Sequence, residues 1–196
     1  MSAIPVSDFE QPWELPSRGR IGMLSLIIGE SAIFTIFVVA YIFYIGRSVS
    51  GPTPQQVLDI PILNTICLLS SSVTIWLSER QIERGNMRAF AALWALTMGL
   101  GIEFIIGTWL EWKKLIFVDG LTIRTNLFGT TFYSLVGLHA THVVVGLIML
   151  TFVLIFTLTG RLNHAHAERV EVLALYWHFV DAVWVVVFTV VYIVGR

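Results

Sequence analysis

Residues 170–194 read VEVLALYWHFVDAVWVVVFTVVYIV, an apolar run that nevertheless carries His178 and Asp181 near its middle. A helix of about 20 apolar residues crosses the ~30 Å hydrocarbon core of a bilayer. Ionisable side chains are costly at that depth, which makes them candidates for function. The stretch therefore predicts a membrane-spanning helix, and it raises the question of what these two side chains contact.

Four further apolar runs precede this segment, at residues 21–46, 60–78, 88–110 and 126–159. Backbone polar groups within a bilayer must pair inside their own segment, so each run is predicted to be an α-helix. None shows the alternation of a β-barrel strand. The predicted fold class is all-α, a polytopic membrane protein with a five-helix antiparallel transmembrane bundle.

Two parts of the chain are expected: an N-terminal interfacial arm at residues 1–20 and a five-helix transmembrane domain at residues 21–196. Trp13 is predicted to anchor the arm among lipid headgroups. Acidic residues and prolines precede the first apolar run, which argues against a signal peptide.

The composition agrees with a membrane protein and excludes other classes. Hydrophobic residues make up 56% of the chain and charged residues 13%, against about 25% charged in a soluble domain. Mean hydropathy is +0.80. Lys and Arg number 12 against 13 Asp and Glu, with no basic block, so no nucleic-acid partner is expected. Cys67 is the only cysteine, which excludes an internal disulfide.

The distribution of basic residues predicts the orientation. The side holding the N-terminus carries seven, namely Arg18, Arg20, Arg80, Arg84, Arg88, Arg161 and Arg169. The opposite side carries five, namely Arg47, Lys113, Lys114, Arg124 and Arg196. The positive-inside rule then places the N-terminus in the cytoplasm and the C-terminus outside.

The second span is the most polar of the five and is predicted to pack against other helices rather than lipid. Its polar residues are Asn64, Thr65, Ser70, Ser71, Ser72 and Thr74.

Three glutamates interrupt the apolar pattern. Glu30 lies about ten residues, or ~15 Å of helix, into the first span, near the membrane middle. It is interpreted either as a proton-handling or partner-contacting carboxylate or as a protonated side chain bonded to a neighbouring helix. A helix–helix hydrogen bond is favoured over catalysis for Glu103. Glu111, next to two lysines, is placed at the membrane interface.

Histidines lie on two of the predicted helices. His139 and His142 share one face of the fourth span, and Trp177, His178, Asp181 and Trp184 share a broad face of the fifth. His139 and His142 could begin a metal site with His178 and Asp181 as the further ligands, but structural hydrogen bonding is favoured. His164 and His166 are predicted to lie in a solvated loop.

In their order along the chain, these polar islands resemble subunit III of the heme-copper respiratory oxidases. The resemblance rests on RIGMLSLIIGESAIF, IPILNTICLLSSS, the TWLEW stretch, DGLTIRTNLFGTTFYSLVGLHATHVVVG and LYWHFVDAVWVVVFTVVY. The chain is similar to the five-helix bacterial form, which lacks the first two helices of the longest members. That form occurs in cytochrome c oxidases and in ubiquinol oxidases.

The resemblance implies a non-catalytic subunit of a proton-pumping terminal oxidase that reduces O2 to water. It implies no metal and no cofactor on this chain, with heme and copper on subunits I and II. It also implies packing on subunit I, support of proton uptake and turnover stability, and bound phospholipid. A small subunit IV and a respiratory supercomplex are further expected partners, and the expected location is the bacterial plasma membrane.

The resemblance also assigns site residues. Glu30 matches the membrane carboxylate of the family that reacts with carbodiimides. Glu111 matches the acidic residue of a QxxEY stretch, from which this chain departs at Thr108 and Trp109. The family's helix-clasp and lipid-contact positions match His139, His142, Trp177, His178 and Asp181. Glu103 has no counterpart.

Three hypotheses remain open on the sequence. The first is the oxidase subunit, in which His178 and Asp181 form a polar clasp that joins the fifth helix to the fourth through His139 or His142. The second is an accessory subunit of a nitric oxide reductase, a class in which similar five-helix proteins occur. The third is a membrane enzyme that binds metal or heme directly through its His, Asp and Glu residues.

Overall fold

The computed structural model describes residues 17–48 and 50–195, and all regular structure in these residues is helical. The helices are α1 (Arg18–Tyr44), the one-turn α2 (Pro54–Val57), α3 (Ile62–Glu83), α4 (Met87–Phe117), α5 (Leu127–Leu158) and α6 (Ala167–Phe188). A 3-10 turn, His164–His166, precedes α6, and a π-helical segment, Thr189–Val194, continues it. Most of the predicted arm at residues 1–20, Trp13 included, lies outside the described residues.

Five of the described helices, α1, α3, α4, α5 and α6, are long and apolar enough to span a membrane. The predicted fold class is confirmed. The helices extend beyond the apolar runs at several ends: α3 continues to Glu83 and α4 to Phe117, where the predicted spans ended at 78 and 110. Hydropathy predicts where the hydrocarbon core ends. The helix itself can continue into the headgroup region, where charged residues are tolerated, until a turn residue ends it.

Local signals fix where the helices begin and end. Asn86 and Asn126 cap α4 and α5, their side-chain oxygens accepting from Ala89 N at 3.3 Å and Gly129 N at 2.8 Å. Between α3 and α4 the chain reverses within three residues, and Gly85 takes a φ of +73° there. A residue with a Cβ is strained at that angle, so glycine suits this tight turn.

Aromatic–cation pairs lie near the two ends of the bundle. The end of the bundle where α3 and α5 end and where α1, α4 and α6 begin is called the N-terminal rim. At this rim the Arg80 guanidinium lies 3.5 Å from the Trp76 ring centroid. Arg47 lies 4.0 Å from the Phe43 ring at the opposite rim. An aromatic ring beside a cation suits the boundary between headgroup and hydrocarbon.

Helix α6 lies at the centre of the bundle, in contact with α1, α3 and α5. Half of its most apolar 18-residue window is buried inside the protein, against 11% for α1. Its tryptophans Trp177 and Trp184 are fully enclosed. Helix α1 is therefore the peripheral helix, packed mainly on α5 and α6.

Two glycines let the Trp177 ring fit between neighbouring helices. A Cβ on Gly101 of α4 would lie 2.7 Å from Trp177 Cη2, and one on Gly146 of α5 would lie 2.8 Å from its Cε3. Real side-chain contacts are not that short, so the ring fills the space that both glycines leave open. Small residues at helix interfaces allow this close approach in membranes.

This packing predicts that Gly101→Ala destabilises the protein. The added methyl group would overpack the core, and the free energy of unfolding should fall by about 1–3 kcal/mol in an SDS titration from mixed micelles. Gly99→Ala is the matched control, because nothing lies within 4 Å of a Cβ at that position of the same helix. Equal stability of the two variants would contradict the packing.

Candidate functional site

The polar face of α6 meets the serines of α3. Ser72 Oγ donates to Asp181 Oδ2 and lies 3.1 Å from His178 Nδ1. Trp177 Nε1 donates to Ser71 Oγ at 2.8 Å, and Ser71 Oγ lies 3.5 Å from the same Asp181 oxygen. These five residues, Ser71, Ser72, Trp177, His178 and Asp181, are called the α3–α6 polar cluster.

The cluster forms because residues with polar groups recur on the face of α6 that lies against the serines of α3. Trp177, Asp181 and Trp184 follow one another at spacings of four and three, so they face α3 together. About two turns from the serines along α3, towards the opposite rim, Trp184 Nε1 donates to Thr65 Oγ1 at 3.2 Å. Each polar side chain on this face of α6 thereby gains at least one hydrogen bond to α3, and buried polar groups without partners are costly in a membrane.

The predicted partner of the α6 polar residues was wrong. His178 and Asp181 bond to Ser72 of α3, not to His139 or His142 of α5. The physical reason is the placement of α6: its polar face points to α3, while its contacts with α5 include the Trp177 ring against Gly146 and the Trp184 ring against His139.

His142 joins α5 to α1. Its Nε2 lies 3.1 Å from Glu30 Oε2, and its Nδ1 donates to the Leu138 carbonyl oxygen at 2.8 Å. Because Nδ1 already carries a hydrogen, one further proton must lie between Nε2 and the carboxylate for the pair to bond. The contact is largely buried, with side-chain exposures of 13% for His142 and 23% for Glu30.

His139 lies one turn from His142 but in different surroundings. Its imidazole is fully buried, and neither ring nitrogen has a hydrogen-bond partner among the described residues. The Trp184 ring lies 5.0 Å away at 30°, and the Phe104 ring meets it edge-on at 5.6 Å. His139 therefore packs as an aromatic ring rather than bonding to α6.

Glu111 connects α4 to the π-helical segment that continues α6. The Tyr192 hydroxyl lies 3.0 Å from each oxygen of the Glu111 carboxylate. Lys114, one turn further on α4, contacts Asp59 near the opposite rim. The placement of Glu111 at the membrane interface stays a prediction, and α4 itself continues beyond this residue to Phe117.

Glu103 lies between α4 and α3. The Cys67 thiol of α3 interacts with its carboxyl group, while Glu103 Oε2 is buried without a hydrogen-bond partner in the described part of the chain. Cys67 of α3 is thus the partner available for the predicted helix–helix hydrogen bond of Glu103.

The predicted metal-site residues are not gathered in one place. His142 pairs with Glu30, His178 and Asp181 bond to Ser72, and His139 lies among aromatic rings. Within residues 17–48 and 50–195 no group of three or more His, Cys, Asp and Glu side chains could hold a metal ion. The metal-enzyme hypothesis therefore finds no ligand set in these residues.

Sequence reasoning identified neither Tyr192 as the partner of Glu111 nor Ser72, one of the polar residues of the second span, as the partner of Asp181. A signal for Ser72 was available. Three consecutive serines, at 70–72, lie in the most polar span and cover more than half of the helix circumference, so one of them can face a neighbouring helix over a wide range of rotations. The pairing itself depends on how α3 and α6 are rotated.

A family model described as cytochrome c oxidase subunit III matches residues 17–196. The chain belongs to this family. A cytochrome c oxidase subunit 3 of Alkalihalophilus pseudofirmus is 33% identical over 89% of this chain and 86% of its own length. The subunit 3 of Thermostichus vulcanus is 31% identical over 93% and 90%. A probable subunit 3 of Mycobacterium leprae is 35% identical over 91% and 89%.

Membership places this chain among the subunits of a multi-subunit respiratory oxidase. The family match begins at residue 17, just before Arg18 opens α1, and it includes all five spanning helices. The chain is therefore a multi-pass membrane subunit, and other oxidase subunits are its partners.

The Glu30–His142 contact generates a prediction for the attachment of α1. Glu30→Leu leaves His142 Nε2 buried and unpaired, which should lower the free energy of unfolding by about 1–3 kcal/mol. Glu30→Gln keeps a hydrogen-bonding group and should lose less. Both are measured by SDS unfolding, with Ser31→Ala as the control on the same helix. If Glu30→Leu proves as stable as Glu30→Gln, the contact does not hold α1.

Proposed function

We propose that this chain is the non-catalytic subunit III of a proton-pumping terminal oxidase in a bacterial plasma membrane, with its N-terminus in the cytoplasm. It packs on subunit I and supports fast proton uptake and stability during turnover. Heme and copper are held by subunits I and II. The observation that carries the proposal is the family match over the whole five-helix bundle.

The geometry favours a structural, supporting role for this chain over a catalytic one. The polar side chains inside the bundle are mostly engaged with one another: Glu30 with His142, Asp181 with Ser72, and Glu111 with Tyr192. Contacts of this kind set helix positions. The relatives named above are all cytochrome c oxidase subunits, which favours an oxidase over a nitric oxide reductase.

The outer surface suits docking to membrane partners and lipid. Large apolar side chains are exposed on every spanning helix, as Ile28 on α1, Leu63 on α3, Trp109 on α4, Phe152 on α5 and Val186 on α6 illustrate. In a bilayer these surfaces face acyl chains or the helices of subunit I. Packing on subunit I would bury a part of them.

A cavity of about 370 Å³ between α5 and α6 supports phospholipid binding. Three basic residues, Arg161, His166 and Arg169, line it at the N-terminal rim. Arginine forms strong charge-assisted hydrogen bonds with phosphate. Acyl chains would extend along the apolar part of the lining, which consists of Phe152, Val153, Phe156, Leu162, Val170 and Leu173.

Purification from native membranes in mild detergent tests the proposal. We expect this chain to co-purify with a large subunit that carries two hemes and copper, shown by metal analysis and a reduced-minus-oxidised spectrum. The chain itself should be colourless once separated. Non-heme iron in place of copper would indicate a nitric oxide reductase, and a chain that purifies alone with bound heme or metal would contradict the proposal.

The basic cavity gives a prediction for lipid content. Replacing Arg161 and Arg169 together by glutamine should reduce the anionic phospholipid retained by the purified complex, because both guanidinium groups that would bind the phosphate are lost. Lipid mass spectrometry of the complex provides the measurement. Arg18→Gln is the control, an exposed arginine at the same rim but outside the cavity. Unchanged retention in the double variant would rule out this cavity as the lipid site.

A further inference from the structure

One side chain of the α3–α6 polar cluster, His178, lines a cavity at the protein surface. A cavity of about 230 Å³ opens at the N-terminal rim between α1, α3 and α6, and His178 is the residue of α6 that lines it furthest from the rim. The titratable residues nearer the rim are Arg20, Glu79 and Glu171, of which Arg20 and Glu171 form an ion pair at 3.3 Å. One imidazole thus faces both this cavity and the interior of the bundle.

Hydrogen bonds continue from His178 into the core. Its Nδ1 lies 3.1 Å from Ser72 Oγ, and Ser72 donates to Asp181 Oδ2. The Asp181 side chain is buried, and its second oxygen, Oδ1, has no hydrogen-bond partner within the described residues. Asp181 lies ~21 Å along α6 from Ala167, deep in the membrane. A continuous chain of donors and acceptors therefore ends at a buried carboxylate with a spare oxygen.

We propose that Asp181 is a proton-exchanging site reached from the N-terminal rim through His178 and Ser72. A proton from the cavity adds to His178 Nε2, and Nδ1 passes its own proton to Ser72 Oγ. Ser72 in turn passes its hydroxyl proton to Asp181 Oδ2. One proton thus enters from the cavity and one proton is held on Asp181. His178 ends neutral, with its hydrogen on Nε2 instead of Nδ1. Release of the proton reverses the same steps.

The titratable groups on the neighbouring helices contact other partners, so they are not part of the route from His178 through Ser72 to Asp181. Asp181 forms no ion pair in the part of the chain that the structure describes. The groups on the helices around it are Glu30 of α1 bonded to His142 of α5, His139 of α5 against Trp184, and Glu103 of α4 beside Cys67 of α3.

Ser71 offers no alternative path, although it also lies near Asp181. Its Oγ accepts from the Trp177 indole N–H and lies 2.6 Å from the Leu68 carbonyl oxygen. An indole nitrogen is a donor only and cannot take up a proton to pass on. Ser71 therefore supports the cluster without connecting it to water.

This inference goes beyond the proposed function, because it assigns a proton-holding group to the interior of this chain itself. It also explains why histidine and aspartate occupy α6 where a serine or an asparagine would bond to Ser72 equally well. Only titratable groups such as histidine and aspartate can take up a proton and hold it.

The test is infrared spectroscopy on the purified complex that contains the full chain, over a pH series and during transfer from H2O to D2O. The C=O stretch of protonated Asp181 is identified as the band that Asp181→Asn removes. His178→Asn keeps an amide nitrogen near the place of Nδ1 but cannot relay a proton. Exchange at Asp181 should slow by about 100-fold in that variant, the order that a positioned proton-transfer group contributes.

Variants of the two serines separate relay from structure. Ser72→Ala should slow exchange as His178→Asn does, whereas Ser72→Thr, which keeps the hydroxyl, should retain it. Ser71→Ala is the matched control and should exchange at the wild-type rate. If His178→Asn does not assemble, the comparison of the two Ser72 variants decides the question.

Three results would overturn the proposal. They are the absence of a protonated Asp181 band at every pH, an exchange rate that is equal in wild type and His178→Asn, and an equal slowing in Ser71→Ala. None of them bears on co-purification with heme and copper subunits, so the proposed function and the proton site fail separately.

Discussion

The hydrogen bond between Ser72 of α3 and Asp181 of α6 is the interaction on which the rest of the bundle depends. A carboxylate inside a bilayer needs a partner, and the serine hydroxyl is the closest donor that α3 offers. Once this bond forms, the rotation of α6 about its axis is fixed. Trp177 then points between Gly101 and Gly146, and Trp184 lies against Phe104 and His139.

A fixed α6 also explains the arrangement of the other helices. Helix α4 approaches Trp177 through a glycine, and α5 does the same from the other side. Helix α1 is different, since little of it is buried and its main polar contact is the pair between Glu30 and His142. Polar contacts thus tie α6 to α3 through Asp181 and Ser72, and α1 to α5 through Glu30 and His142. Close packing around the Trp177 ring brings α4 and α5 against this framework, and the contact of Tyr192 with Glu111 adds a polar link to α4.

Much of the fold could be predicted because the bilayer leaves few choices. Length and hydropathy were sufficient for five spanning helices, and the motifs at GLHATH and YWHFVDAVW identified the family. The partner of Asp181 could not be predicted in this way. A histidine pair at 139 and 142 and a serine run at 70–72 are both suitable partners, and only the rotation of α6 against its neighbours selects the serines. Likewise, His139 and His142 look equivalent in the sequence, but one faces α1 and the other faces aromatic rings.

The free-energy coupling between Ser72 and Asp181 tests this account most directly. It is measured by a double-mutant cycle of Ser72→Ala and Asp181→Asn in SDS unfolding of the chain from mixed micelles. The account predicts a coupling of about 1 kcal/mol, within the range of interhelical hydrogen bonds in membranes, and a coupling near zero for a parallel cycle of His142→Ala and Asp181→Asn. No coupling to Ser72 together with a clear coupling to His142 would contradict it, because α6 would then be oriented by α5.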